Sequence, residues 1–176
     1  SYHDGYIISV SGDTIPGLIK DRDNGAFGGL YSKVRFKSNA DKFQKFTPYD
    51  IYAYSYSNHF FVSIPFEVDN SFFQMDAKSD PYGTKIFMEL VYKGYCSVYK
   101  HEYEDEDGIM EQYYLKRSDE NRMQFFRTGL LGPNKKKLIE YFHDCTDLQR
   151  KIDNKELKHP VDVAKFYNEK CGKRDL

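Results

Sequence analysis

The stretch FMELVYKGYCSVYKHEYEDEDGIMEQYYLKR, Phe87 to Arg117, decides the fold class. Three runs rich in Tyr, Phe and Val are divided by Lys93-Gly94 and by an acidic turn ending at Asp107-Gly108. Such side chains suit a pleated, half-buried surface, and the two dipeptides supply turn residues that tolerate positive φ. The segment reads as an antiparallel meander.

Upstream, short strands are predicted over 6–10, 15–20, 33–37, 43–46, 51–56 and 60–64. Turn residues separate them: Ser11-Gly12-Asp13-Thr14, Asp23-Asn24-Gly25 with Gly28-Gly29, Thr47-Pro48-Tyr49-Asp50 and Asn58. Pro16 lacks an N–H for a ladder, which places it on an edge strand or at a strand's start. Residues 65–83 read as a long connection tacked down by Phe72, Phe73 and Met75. A last strand over 122–128 brings the total to nine or ten.

Downstream, the period changes at Gly129. Leu138, Ile139, Phe142 and Cys145 share one face of a helix starting near Lys135. Thr146-Asp147-Leu148-Gln149 has the form of a capping box and opens a second helix with Leu148 and Ile152 on its apolar stripe. Pro160 suits the first turn of a third, where Val163, Phe166, Tyr167 and Cys171 fall together. Strands first and helices last predict an α+β fold: an antiparallel meander sheet or partial barrel followed by three C-terminal helices. One domain over 1–176 is expected, with 1–128 β-rich and 129–176 helical and packed on it.

Composition narrows the function classes. Of 176 residues, 40% are hydrophobic, enough for a core, and 26 basic side chains face 27 acidic ones. A net charge of −1 gives no global field to draw nucleic acid or anionic lipid, so nucleic acid is not an expected partner. No apolar run reaches the 18 residues of a membrane span, so no transmembrane segment is expected. The chain begins at Ser1 rather than Met, which fits a product whose targeting segment has been removed. No phosphate loop, nucleophile elbow, HExxH or catalytic carboxylate pair is readable, and no Cys/His spacing suits zinc; no cofactor is expected.

Tyr52, Tyr54 and Tyr56 alternate with Ile51, Ala53 and Ser55. With Ile51 and Ala53 turned to the core, the three tyrosines form an exposed recognition stripe. Cys145 and Cys171 lie on apolar helix faces and read either as a disulfide or as two buried thiols. Cys96 reads as a small core residue. His143 stands two residues before Cys145, a spacing that points the pair to different helix faces. The acidic run Glu102 to Asp107 reads as a solvated turn, its spacing departing from the twelve-residue calcium loop. Lys135-Lys136-Lys137 opens a helix against its dipole, which marks these charges as serving contact or solubility rather than stability.

Several stretches together resemble a family of small uncharacterised proteins exported by Bacteroidetes-type bacteria. The Gly5-Tyr6-Ile7-Ile8 and Gly12-Asp13-Thr14-Ile15-Pro16-Gly17 pair resembles its opening, and Thr47-Pro48-Tyr49-Asp50-Ile51 an internal step. Gly94-Tyr95-Cys96-Ser97-Val98-Tyr99 and Tyr113-Tyr114-Leu115-Lys116 resemble its central strands. Tyr141-Phe142-His143-Asp144-Cys145, Leu148, Lys151-Ile152 and Phe166-Tyr167-Asn168 with Cys171 resemble its close. The 65–83 connection and Cys96 depart from that pattern. The resemblance implies export to the periplasm or cell surface and favours a Cys145–Cys171 disulfide; it implies no activity.

The leading expectation is a non-enzymatic exported binding module that meets an unknown protein or cell-envelope component through its aromatic strand face. The alternative is a small-ligand carrier with an apolar cavity in a curved sheet. An enzyme using His143, Cys145 or the 102–107 loop ranks last.

Overall fold

The computed structural model describes residues 1–21, 33–69, 76–105 and 108–172. Its first strands are β1 (His3–Ser9), β2 (Thr14–Lys20), β3 (Val34–Ser38), β4 (Phe43–Phe46), β5 (Ile51–Tyr56) and β6 (His59–Pro65). After them come β7 (Glu67–Asp69), β8 (Asp76–Lys78), β9 (Lys85–Tyr92), β10 (Cys96–Asp105), β11 (Gly108–Arg117) and β12 (Arg122–Phe126). Three helices close the chain: α1 (Lys135–Tyr141), α2 (Thr146–Asp153) and α3 (Pro160–Lys170). The strands form one open antiparallel sheet in the order β4-β3-β2-β1-β5-β6-β9-β10-β11-β12-β8-β7. The α+β class, meander first and helices last, is therefore established, with the sheet open rather than closed as a barrel.

The described residues hold twelve strands, more than the nine or ten expected, because 65–83 contains two strands of three residues each. Such strands are too short to show alternation. Phe72, Phe73 and Met75, like Asp23-Asn24-Gly25 and Gly28-Gly29, lie outside the described residues. Pro16 sits within β2 opposite Tyr6, while pairing with β3 begins only at Gly17. The missing N–H thus falls beyond the end of the β3 ladder, so Pro16 belongs to a strand with a neighbour on each side.

Ser57 and Asn58 have φ of 48° and 66°, the conformation of a two-residue hairpin turn whose twist matches its strands. This turn pairs Tyr56 with His59 and Tyr54 with Phe61. Gly94, by contrast, is needed for space rather than for positive φ. A Cβ there would fall 2.3 Å from Asn168 Nδ2.

The chain divides into two compact units, the first comprising 1–66, 81–90 and 101–111 and the second 67–80, 91–100 and 112–176. In the first, Ile7, Ile19, Val34, Phe36, Ile51, Tyr54, Phe61 and Phe87 form the buried cluster. Gly5 and Gly17 face each other across β1 and β2. A Cβ on Gly5 would lie 2.1 Å from the Ser55 carbonyl oxygen, and one on Gly17 would meet the Phe36 ring at 2.5 Å. Both positions are bare because neighbouring groups occupy the space a side chain needs.

In the second unit, Cys96, Val98, Leu115 and Phe126 from the strands pack with Leu138, Tyr141, Phe142, Leu148, Ile152, Val163, Ala164 and Tyr167 from the helical segment. Pro160 opens α3 as expected. The first helix is shorter than the sequence pattern implied: it ends at Tyr141, and Cys145 is the N-cap of α2. Thr146 is accordingly the first residue of α2 and makes no capping box. Among the described residues no helix is long and apolar enough to cross a membrane.

Candidate functional site

The sequence pattern directed attention to β5, and the structure places its tyrosines in three different environments. Along the β1–β5 ladder Ile8 pairs with Ala53 but Ser9 pairs with Ile51, so one extra residue, Tyr52, stands in β5 at a bulge. An added residue reverses the alternation beyond it. Ile51 and Tyr54 consequently share the buried cluster, although strict alternation would put them on opposite faces. Tyr52 is 54% exposed, Tyr54 is fully buried at 0%, and Tyr56 is half-buried. The expected continuous exposed stripe is not formed; only Tyr52 projects from it.

Tyr54 and Tyr56 instead build an internal site with residues the sequence reading missed. The Tyr54 hydroxyl donates to Asp21 Oδ1 at 2.6 Å and the Tyr56 hydroxyl to Oδ2 at 2.9 Å. One carboxylate thus holds both phenols. The Tyr54 and Phe61 rings stack at 4.7 Å, Tyr56 and Phe61 at 5.8 Å, and Phe87 meets Tyr54 edge-on at 5.0 Å. His59, whose ring lies 6.0 Å from that of Tyr56, has its Nδ1 2.6 Å from Glu89 Oε1. His3 adds a second imidazole 5.7 Å from Tyr56 on its other side. The carboxylate fixes the imidazole of His59, and the stacked rings use their faces on one another. The hairpin register was the available signal: a two-residue turn at Ser57-Asn58 brings Tyr56 and His59 side by side.

The second unit holds a different constellation. Arg117, almost wholly buried, lies with its guanidinium carbon 4.6 Å from the Tyr141 ring, 5.0 Å from that of Tyr167 and 5.6 Å from that of Phe142. Its Nη2 donates to the Tyr141 carbonyl and to Asp144 Oδ1 at 3.1 Å. Asp144 Oδ2 accepts from the Tyr167 hydroxyl at 2.7 Å. Burial by itself lowers the Arg117 pKa, and Tyr167, Tyr141, Asp144 and Glu120 outweigh it, so the guanidinium is held above its ordinary value. Burial likewise pushes the phenols of Tyr141 and Tyr167 upward, and burial with the Asp119 contact takes Tyr95 up to about 12. These groups stay in their ordinary neutral or cationic forms across the physiological range. The cage is filled by the protein's own cation, which makes it a structural joint between β11 and the helices.

Two further ties finish this joint. Cys145 and Cys171 form a disulfide with a Cα separation of 5.7 Å, linking the N-cap of α2 to the residue after α3. The Asn168 amide accepts from the Cys96 N–H at 2.7 Å and donates to the Cys96 carbonyl at 3.0 Å. A side chain thereby stands in for a neighbouring strand.

The remaining sequence candidates are simply placed. His143 is exposed in the turn after α1, and the Cys145 sulfur beside it is bonded to Cys171, so the two make no thiol–imidazole pair. Cys96 is buried as a free thiol, pushed up to about 12 by that burial. Of the acidic run, Glu102 is half-buried, while the side chains of 103–107 lie outside the described residues. Among the described residues no group of three or more His, Cys, Asp and Glu is placed to hold a metal ion.

No family model, characterised protein or solved structure matches this chain.

Proposed function

We propose that the protein is a non-enzymatic, exported interaction module, and that its contact residue on β5 is Tyr52. The observation that carries this reading is the bulge, at which Tyr52 stands out into solvent between the buried Ile51 and Ala53. Bulges re-aim single side chains in this way, and a rigid aromatic presents contact area at small entropic cost. Tyr49 and Val10 are exposed near the same strand ends, since Ser9 pairs with Ile51. Tyr49 is held in place: its hydroxyl accepts from the Lys85 N–H at 3.1 Å. Export is supported by the Cys145–Cys171 bond, because such bonds persist in oxidising compartments. The resemblance to exported Bacteroidetes-type proteins points the same way, and the partner is then a protein or envelope component.

The test places a photoreactive benzoylphenylalanine at position 52 in the producing cell, with position 45 on β4 as control. A discrete adduct at 52 and none at 45 is expected. Once the adduct's partner is purified, Tyr52→Ser should weaken binding by about thirtyfold, the scale of an aromatic anchor. No adduct at 52, or equal adducts at both positions, overturns the reading.

A further inference from the structure

The turn between β12 and α1 carries a second surface, independent of Tyr52. Leu130 and Leu131 are exposed to 108% and 81%, and they are adjacent. Single exposed leucines are ordinary; two at the tip of a built frame call for a physical account. The frame is well defined. Gly129 and Gly132 have φ of 96° and 66°, and the Gly132 N–H donates to the Gly129 carbonyl at 3.0 Å, so the leucines are the two central residues of a tight turn. Arg127 Nε donates to the Gly132 carbonyl at 2.8 Å. The Asn134 side chain closes the base, accepting from the Arg127 N–H and donating to the Phe125 carbonyl, both at 2.9 Å. The tip is therefore held out in water in one shape, and ordering it on contact costs little.

Charge identifies the occupant. From Arg127 to Ile139, RTGLLGPNKKKLI, there are four cations and no carboxylate, in a chain whose net charge is −1. Lys135 reaches back to Asp153, with Nζ donating to its carbonyl at 2.5 Å and standing 3.8 Å from Oδ1, while Lys136 is exposed. Cations at the start of a helix oppose its dipole, so their presence serves something other than the stability of α1. The absence of a global positive field does not bear on this, since a field is felt over about 10 Å at ordinary salt and Arg127 is hydrogen-bonded directly to Gly132, the last residue of the turn. We propose that the Leu130-Leu131 turn docks the protein on an anionic lipid surface, the leucines entering the headgroup boundary and the basic collar meeting the headgroups. Apolar insertion plus a basic collar is the combination that gives stable peripheral attachment where either alone is marginal.

The chain contains no Trp, so Leu131→Trp gives an emission probe without background. Vesicles of phosphatidylcholine with one-third phosphatidylglycerol should shift its emission to the blue, and phosphatidylcholine alone should not. Vesicle sedimentation of the otherwise native chain should show Leu130→Ser/Leu131→Ser binding at least tenfold more weakly, and Lys136→Glu binding about tenfold more weakly, on the scale of the apolar and per-cation contributions to membrane attachment. Both changes are at exposed positions, and an unchanged urea midpoint verifies folding. Binding that ignores the leucines, or no binding to the anionic vesicles, overturns the proposal. A blue shift that grows with protein concentration without lipid would do so too, and would assign the tip to a second copy of the chain.

Discussion

The two compact units solve the problem of fixing a core by different physical means. In the first, residues far apart in sequence meet on one sheet face and are held by ring stacking, bare glycines and one carboxylate shared by two phenols. In the second, short helices with little intrinsic stability are tied by a covalent bond, a caged arginine and an amide that imitates a strand. The difference follows from the elements. Strands carry their constraint in the ladder, whereas helices of 7, 8 and 11 residues are marginal until something outside them sets their positions.

The largest test of that contrast is removal of the disulfide. Closing a loop of 26 residues constrains the unfolded chain by roughly 3–4 kcal/mol on the chain-entropy account. Cys145→Ala/Cys171→Ala should lower the urea midpoint accordingly, with amide exchange accelerating first in α2 and α3. Equal acceleration in β1, β5 and β6 would show one cooperative body and end the contrast.

Arg117→Met comes next. It keeps the stem's packing but leaves Asp144 and the Tyr141 carbonyl without their cation. A loss of about 3 kcal/mol is expected, the lower end for breaking a buried pair, since Asp144 is partly solvated. A neutral or stabilising result in chemical denaturation would show the cage to be replaceable by apolar packing and would end its standing as a joint.

Tyr54→Phe should have the smallest effect. It deletes one hydroxyl to a carboxylate, and about 1–2 kcal/mol should be lost with ring stacking unchanged. Near-ultraviolet circular dichroism should keep its aromatic signal while the midpoint falls. A collapse of that signal would mean that Asp21 tethering, rather than stacking, orders the rings.

The sequence displayed the order of elements well, because alternation, turn residues and helical period are all local. Asn58 and Pro160 each marked a boundary through backbone chemistry, and Lys93-Gly94 marked one although Gly94 serves space rather than positive φ. Tyr54 shows where local reading stops. Its burial depends on one unpaired residue in a ladder with β1, and no pattern within β5 reveals a partner's register. Asp21 is 33 residues from Tyr54, and Arg117 is 24 to 50 from the rings around it, so neither assembly has a signature in any window. The Asn168 contact was equally silent; only Gly94, bare for the sake of a side chain 74 positions on, hinted at it.

That contact has a consequence for the order in which the molecule is made. The clustered residues of the first unit are all present once synthesis has passed Phe87. The start of β10 has to wait for Asn168, and Cys145 has to wait for Cys171. On a chain emerging from its N-terminus, the second unit can therefore close only once Cys171 has been made and released. Ending the chain at Phe166 would remove both ties at once and leave its strands finished but unfastened.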